Sequence, residues 1–124
     1  MIRKRKRKTK KILVIDDEEN IRLLYQEELK DKGYEVILAS NGQEGLEKFD
    51  NCNPDLITLD IRMVGLDGLD ILKLIREKSR DIPVILCTAY EEYKQDLRSW
   101  SSDAYVVKSS DINELLTTIK EILK

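Results

Sequence analysis

The chain has 124 residues, 22 of them basic and 24 acidic, with no histidine. That length suits one compact domain. The missing histidine excludes Ser-His-Asp and Cys-His catalysis, histidine metal sites and any role as a phosphohistidine carrier. The net charge of −2 hides a division: residues 1–11, MIRKRKRKTKK, hold eight of the basic residues and no acidic one, while the rest carries 14 basic and 24 acidic residues, a net of −10. Residues 1–10 are expected to form a flexible, solubilising basic arm. Residues 11–124 are expected to fold as one domain.

The first apolar run, Ile12–Ile15, reads as a strand and ends in Asp16-Asp17. A helix follows, with Ile21, Leu24, Tyr25 and Leu29 on one face and a glycine stop at Lys32-Gly33. Val36–Ala39 is the second strand. Asn41 and Glu44 are spaced as a capping box for a second helix, with Leu46 and Phe49 turned inward. Leu56–Leu59 is a third strand, followed by Asp60, and Leu69, Leu72 and Ile75 mark a third helix. Val84–Cys87 leads to Thr88, and Cys87 reads as a buried, reduced thiol. Residues 91–100 give a weaker, short fourth helix. Tyr105–Val107 leads to Lys108. Asp111 and Glu114 are spaced to cap a last helix with Leu115, Leu116, Ile119, Ile122 and Leu123 along its stripe. No output domain is expected after it.

The strand runs are continuously apolar and rich in β-branched residues, which suits strands covered on both faces. Five βα units in succession predict a doubly wound α/β fold. No apolar run approaches the roughly 20 residues that span a bilayer, and the N-terminus lacks a signal peptide's apolar core. The expected location is cytoplasmic, without membrane insertion.

In doubly wound folds, ligands lie beyond the carboxyl ends of the strands. Asp16, Asp17, Asp60, Thr88 and Lys108 all emerge at that edge. Three neighbouring carboxylates repel one another, and a hard divalent cation resolves the conflict. Magnesium suits, because it accepts one or two carboxylates and keeps room for phosphate oxygens. A lysine and a hydroxyl beside it suit a phosphoryl group, with one carboxylate as nucleophile. Each residue also has a plainer reading: Asp16 as a turn former, Thr88 as a strand former, Tyr105 as packing, Lys108 as a solvated surface lysine.

The stretches ILVIDDEENIR, DLITLDIRMVGLDGLDIL, VILCTAY and DAYVVK resemble the receiver domains of two-component response regulators, in order and spacing, over about residues 10–124. The resemblance implies a flavodoxin-like (βα)5 fold with a five-stranded parallel sheet in the order 2-1-3-4-5. It implies a free-standing, phosphorelay- or chemotaxis-type regulator that accepts a phosphoryl group on Asp60 from a sensor histidine kinase or a histidine phosphotransfer protein. Mg²⁺ would be held by Asp17, Asp60 and the backbone carbonyl of Arg62, with Asp16 acting through a metal-bound water. Thr88 and Lys108 would contact the phosphoryl group, Ala89 would be kept small, and Tyr105 would be the aromatic switch. The surface formed by the fourth helix, fifth strand and fifth helix would bind the target. Arg62 and Tyr90 stand where side chains flank the approach of hydrolytic water.

Three positions depart from the family pattern. Val64-Gly65 replaces a usual proline, a change expected to loosen a turn without removing chemistry. Ser109 follows Lys108 where proline is usual, so a trans bond is expected, since a non-proline cis bond costs about 2.5–4 kcal/mol. Trp100 replaces a small residue. Two other functions compete with the leading one: a phosphotransferase or phosphatase of another α/β family, for which no extra general acid or substrate cap is visible, and a nucleic-acid-associated protein using the basic arm, which the acidic body disfavours.

Overall fold

The computed structural model describes residues 9–65, 67–89, 96, 99, 101–108 and 111–124. The strands are β1 (Lys11–Ile15), β2 (Glu35–Ala39), β3 (Leu56–Asp60), β4 (Val84–Thr88) and β5 (Ala104–Val107). The helices are α1 (Glu19–Asp31), α2 (Gly42–Cys52), α3 (Gly68–Lys78) and α4 (Asn113–Leu123). All strand pairs are parallel, in the expected order β2-β1-β3-β4-β5. Most of the helix expected at 91–100 (all but Asp96 and Ser99), Tyr90, Trp100, Ser109 and nearly all of the basic arm lie outside the described residues. The expected fifth helix is therefore α4 here.

Alternation along each strand divides the core in two. Leu13, Ile15, Ile57, Leu59 and Leu86 face α2 and α3, joining Leu69, Leu72 and Ile75. Ile12, Val14, Leu56, Ile85 and Cys87 face α1 and α4, joining Tyr25, Leu29, Leu115 and Ile119. Fully burying one such aliphatic side chain contributes about 1.5–3 kcal/mol, so both layers stabilise the sheet edge that carries the polar residues. Cys87 is buried as expected, and burial pushes its thiol up to about 12.

The end of α1 follows its sequence signal. The Gly33 amide donates to the Lys30 carbonyl at 2.9 Å and the Tyr34 amide to the Leu29 carbonyl at 3.1 Å, with Gly33 at φ +92°. This is a Schellman stop, for which glycine supplies the left-handed backbone. The Asn41 side chain accepts from the Glu44 amide at 2.8 Å, and Glu44 accepts in return from the Ser40 amide. Two local expectations differ. Asp111 accepts from the Asn113 amide, and α4 begins there with Ile112 as its cap residue. Leu24 is 40% exposed, beside Leu23 at 50%. Tyr25 and Leu29, four apart, form the buried stripe of α1, which leaves Leu24 on its shoulder.

Candidate functional site

The strand ends deliver the side chains to one point. The Asp16 amide donates to the Ala39 carbonyl at 3.1 Å, extending the β1–β2 pairing by one residue. That bond orients the Asp16 carboxylate, which is 1% exposed. One of its oxygens accepts from the Glu18 amide at 2.9 Å, and the other from Lys108 Nζ at 2.6 Å. Asp16 is thus both the turn former and a member of the polar cluster. Arg22 holds the same turn from α1, donating to the Asp16 carbonyl at 2.8 Å.

Asp60 ends β3, opposite Cys87 of β4, and is 4% exposed. Burial, then the neighbouring Asp16 carboxylate, pushes its carboxyl up to about 7, against the opposing pull of Lys108. Asp17 is half-buried, and one of its oxygens accepts from the Val64 amide at 3.2 Å. Carboxylate oxygens of Asp16, Asp17 and Asp60 lie within 4.8 Å of one another. Lys108, beyond β5, reaches between them: its ammonium stands 3.5 Å from Asp60 and 3.9 Å from Glu18 as well as 2.6 Å from Asp16. Burial alone would depress this ammonium, but its bond to Asp16 and the charges of Asp60, Asp16 and Glu18 hold it above its ordinary value.

Thr88 is fully buried at the end of β4, and its carbonyl accepts from the Lys108 amide at 2.6 Å, which fixes the β4 and β5 ends together. Ala89 follows it at the surface. Tyr105 is half-buried against the layer on the α3 side. Exposed Arg62 joins Asp17, Met63, Val64 and Asp67 around a cavity of about 390 Å³. The described site residues therefore gather at one sheet edge, with Tyr105 set into the adjoining core.

Four contributors were missed in the sequence. Glu18 and Arg22 lie within the motif-bearing stretch, but nothing in their spacing signals a bond to Asp16 or proximity to Lys108. Asp67 caps α3 through the Asp70 amide at 3.0 Å, and its spacing from Asp70 was a readable signal. Gly68 lies against the backbone of Asp60 and Ile61: its amide donates to the Ile61 carbonyl at 2.7 Å. A Cβ there would overlap the Asp60 carbonyl and fall 2.7 Å from Ile61 Cα.

The donor set is all oxygen, anionic and crowded, which fits a hard divalent ion of the magnesium type better than a soft one. A family model for the response regulator receiver domain matches residues 12–120. The chain belongs to that family. Its receiver domain is 50% identical to the response regulator TrrA of Thermotoga maritima, solved in complex with Mg²⁺-BeF; the alignment covers 92% of this chain and 99% of TrrA, with a TM-score of 0.89. TrrA in complex with the histidine kinase ThkA superposes with a TM-score of 0.88, at 49% identity over 94% of this chain and 100% of that one. The alkaline phosphatase synthesis regulator PhoP of Bacillus subtilis is 40% identical over 93% of this chain, which spans 49% of PhoP. Sporulation initiation phosphotransferase F of the same organism is 35% identical, covering 91% of this chain and 93% of its own. This is a receiver domain of two-component signalling, and none of its described helices is long and apolar enough to cross a membrane.

Proposed function

We propose that Asp60 accepts a phosphoryl group from a phosphohistidine on a partner kinase or phosphotransfer protein, and that this switches binding of a downstream target. The observation that carries the reading is the convergence of three carboxylates within 4.8 Å of one another, with Lys108 between Asp16 and Asp60. A carboxylate oxygen of Asp60 attacks phosphorus, the phosphorus–nitrogen bond breaks, and its electron pair returns to the imidazole. The product is an acyl phosphate on Asp60. TrrA's complexes with Mg²⁺-BeF and with ThkA support both the cofactor and the class of donor.

Asp17, Asp60 and the Arg62 carbonyl would hold Mg²⁺ directly, with Asp16 one water removed. Held there, the ion would supply positive charge to offset that of the phosphoryl oxygens. Lys108 is already inside the cluster and needs only to exchange a carboxylate for a phosphoryl oxygen. Thr88 supplies a hydroxyl, Ala89 leaves room, and Tyr105 turns inward as Thr88 moves. The target surface lies on β5, α4 and the segment between β4 and β5. The chain works in the cytoplasm as a phosphoacceptor, its own catalysis limited to taking the group and slowly losing it. Incubation with acetyl phosphate and Mg²⁺ followed by mass spectrometry tests this without any partner: one added phosphoryl group is expected, and no mass increase overturns the reading.

Two predictions follow from this reading. Crowded carboxylates attract a divalent ion even without phosphate. A Mg²⁺ titration followed by calorimetry or NMR is therefore expected to show one site in the wild type and none in Asp17→Ala; equal binding would remove Asp17 from the ligand set. The second concerns signal lifetime. Hydrolysis of the acyl phosphate needs water in line with the scissile bond. Arg62 is permanently charged and large, and Tyr90 is large; neither orients water as a base. The Arg62→Asn/Tyr90→Glu double variant is expected to lose its phosphoryl group faster than wild type, and an unchanged decay rate refutes the idea that these two side chains keep water from the phosphoryl group.

A further inference from the structure

At the amino ends of β1 and β2, away from the acidic cluster, the molecule carries a groove of opposite charge. One wall is the face of α4 on which Asn113, Leu116, Thr117 and Lys120 recur at helical spacing. The other is the corner after α1, Lys32 to Tyr34, together with Thr9 and Lys10 before β1. Two adjoining cavities of about 350 and 440 Å³ share Lys32, Tyr34 and Lys120. Among the described residues no acidic side chain lines either, although residues 12–124 carry 24 of them.

The groove's donors are also unused. Among the described residues, the side chains of Lys10, Lys32, Lys120, Tyr34 and Asn113 make no hydrogen bond or ion pair to one another or to any neighbour. Of the other described cations, Lys11, Lys48 and Arg22 are engaged on backbone carbonyls and Arg76, Lys78 and Lys108 on carboxylates, while Lys30, Lys73, Arg80 and Lys124 are as free as those of the groove. Lys32 and Lys120 stand at the ends of α1 and α4, where cations offset the partial charge of the last carbonyls. That explains each of them singly. It does not explain Lys10, which is on no helix, or the convergence of idle hydroxyl and amide donors on the same cavity.

We propose that this groove binds a small polyphosphate of the nucleotide class, its phosphates among Lys10, Lys32 and Lys120 and its ring against Tyr34 and Leu116. The two volumes fall in the range of about 300–1,000 Å³ typical of small-molecule sites. Three ammonium groups suit more than one phosphate. Six further basic residues, Arg3 to Lys8, are joined to the groove's edge through Thr9. They favour a multiply charged anion over a singly charged one by raising its local concentration. The half-buried phenol of Tyr34 and the apolar Leu116 give a planar ring a surface that inorganic phosphate does not need.

The test is an amide-resolved NMR titration of the full chain, in metal-free buffer at low salt, with ATP, inorganic tripolyphosphate and inorganic phosphate. Saturable shifts are expected at Lys32–Tyr34 and along 113–120, tightest for ATP and weakest for phosphate. Lys32→Glu/Lys120→Glu is expected to weaken ATP and tripolyphosphate by at least about tenfold, since it reverses charge at short range and low screening. Tyr34→Ala is expected to remove only the advantage of ATP over tripolyphosphate. Labelling of Asp60 by acetyl phosphate in the charge-reversed variant checks that it folds. Shifts that never saturate, or that survive the charge reversal, overturn the proposal. So does a response of these amides to phosphatidylglycerol vesicles or duplex DNA with none to ATP or tripolyphosphate, because the surface would then serve a macromolecule.

Discussion

Asp60→Asn is expected to abolish the acid-stable, base-labile phosphoryl adduct and, without metal, to make the fold more stable. The first effect follows from the chemistry. Asparagine presents an amide where the proposed acyl phosphate would form, while Asp16 and Asp17 remain engaged by Lys108 and the Val64 amide. The second follows from charge. Asp60 moves from an ordinary 3.8 to about 7 in the metal-free fold, chiefly through burial and then through Asp16. A carboxyl whose folded value is raised binds its proton more tightly when folded. Its ionisation therefore costs nothing below pH 3.8, and the cost grows between about pH 4 and 7 until it is complete. At about 1.4 kcal/mol per unit, the full penalty at pH 8 is up to about 4 kcal/mol. Asparagine cannot ionise, so denaturation in EDTA is expected to show the variant ahead of wild type at pH 8 and level with it near pH 4. Equal labelling of the two proteins refutes the first half, and a difference independent of pH refutes the second.

The same residues show how far the sequence could be read. Strand ends were legible because a buried parallel strand is a short β-branched run, and its first polar residue marks the edge of the sheet. Asp16, Asp60, Thr88 and Lys108 were found that way. The Gly33 stop and the Asn41 cap were legible because both are local, made within a few residues. Bonds across long sequence separations left no such trace. The Val64 amide donates to Asp17, 47 residues away. The replacement of a usual proline at that position looked chemically neutral, yet it supplies an N–H that proline lacks. Leu24 fits the helical period of α1 as well as its neighbours do, and only the packing of Tyr25 and Leu29 shows which part of the stripe is covered.

Gly68 is the sharpest case of a site residue that the sequence does not announce, and Gly68→Ala is expected to damage both fold and site. Its backbone is not left-handed; what it needs is space. An alanine Cβ would overlap the Asp60 carbonyl and press on Ile61 Cα, both of them backbone in or beside the sheet. No flexible side-chain end is available to give way, so either α3 lifts or the end of β3 bends. Overpacking of this kind costs about 1–3 kcal/mol and occasionally more, and here the strain falls on Asp60, the proposed phosphoacceptor. Gly33→Ala is the informative control. A Cβ there meets nothing within 4 Å, but the residue sits at φ +92°, so its cost is conformational, about 1 kcal/mol. Urea denaturation is expected to rank Gly68→Ala as the more destabilised of the two. Acetyl phosphate labelling of the protein still folded is expected to be slowed in Gly68→Ala and unchanged in Gly33→Ala. If Gly68→Ala labels at the wild-type rate, the close approach of α3 does not set the position of Asp60, and the acidic cluster is held by the strand ends alone.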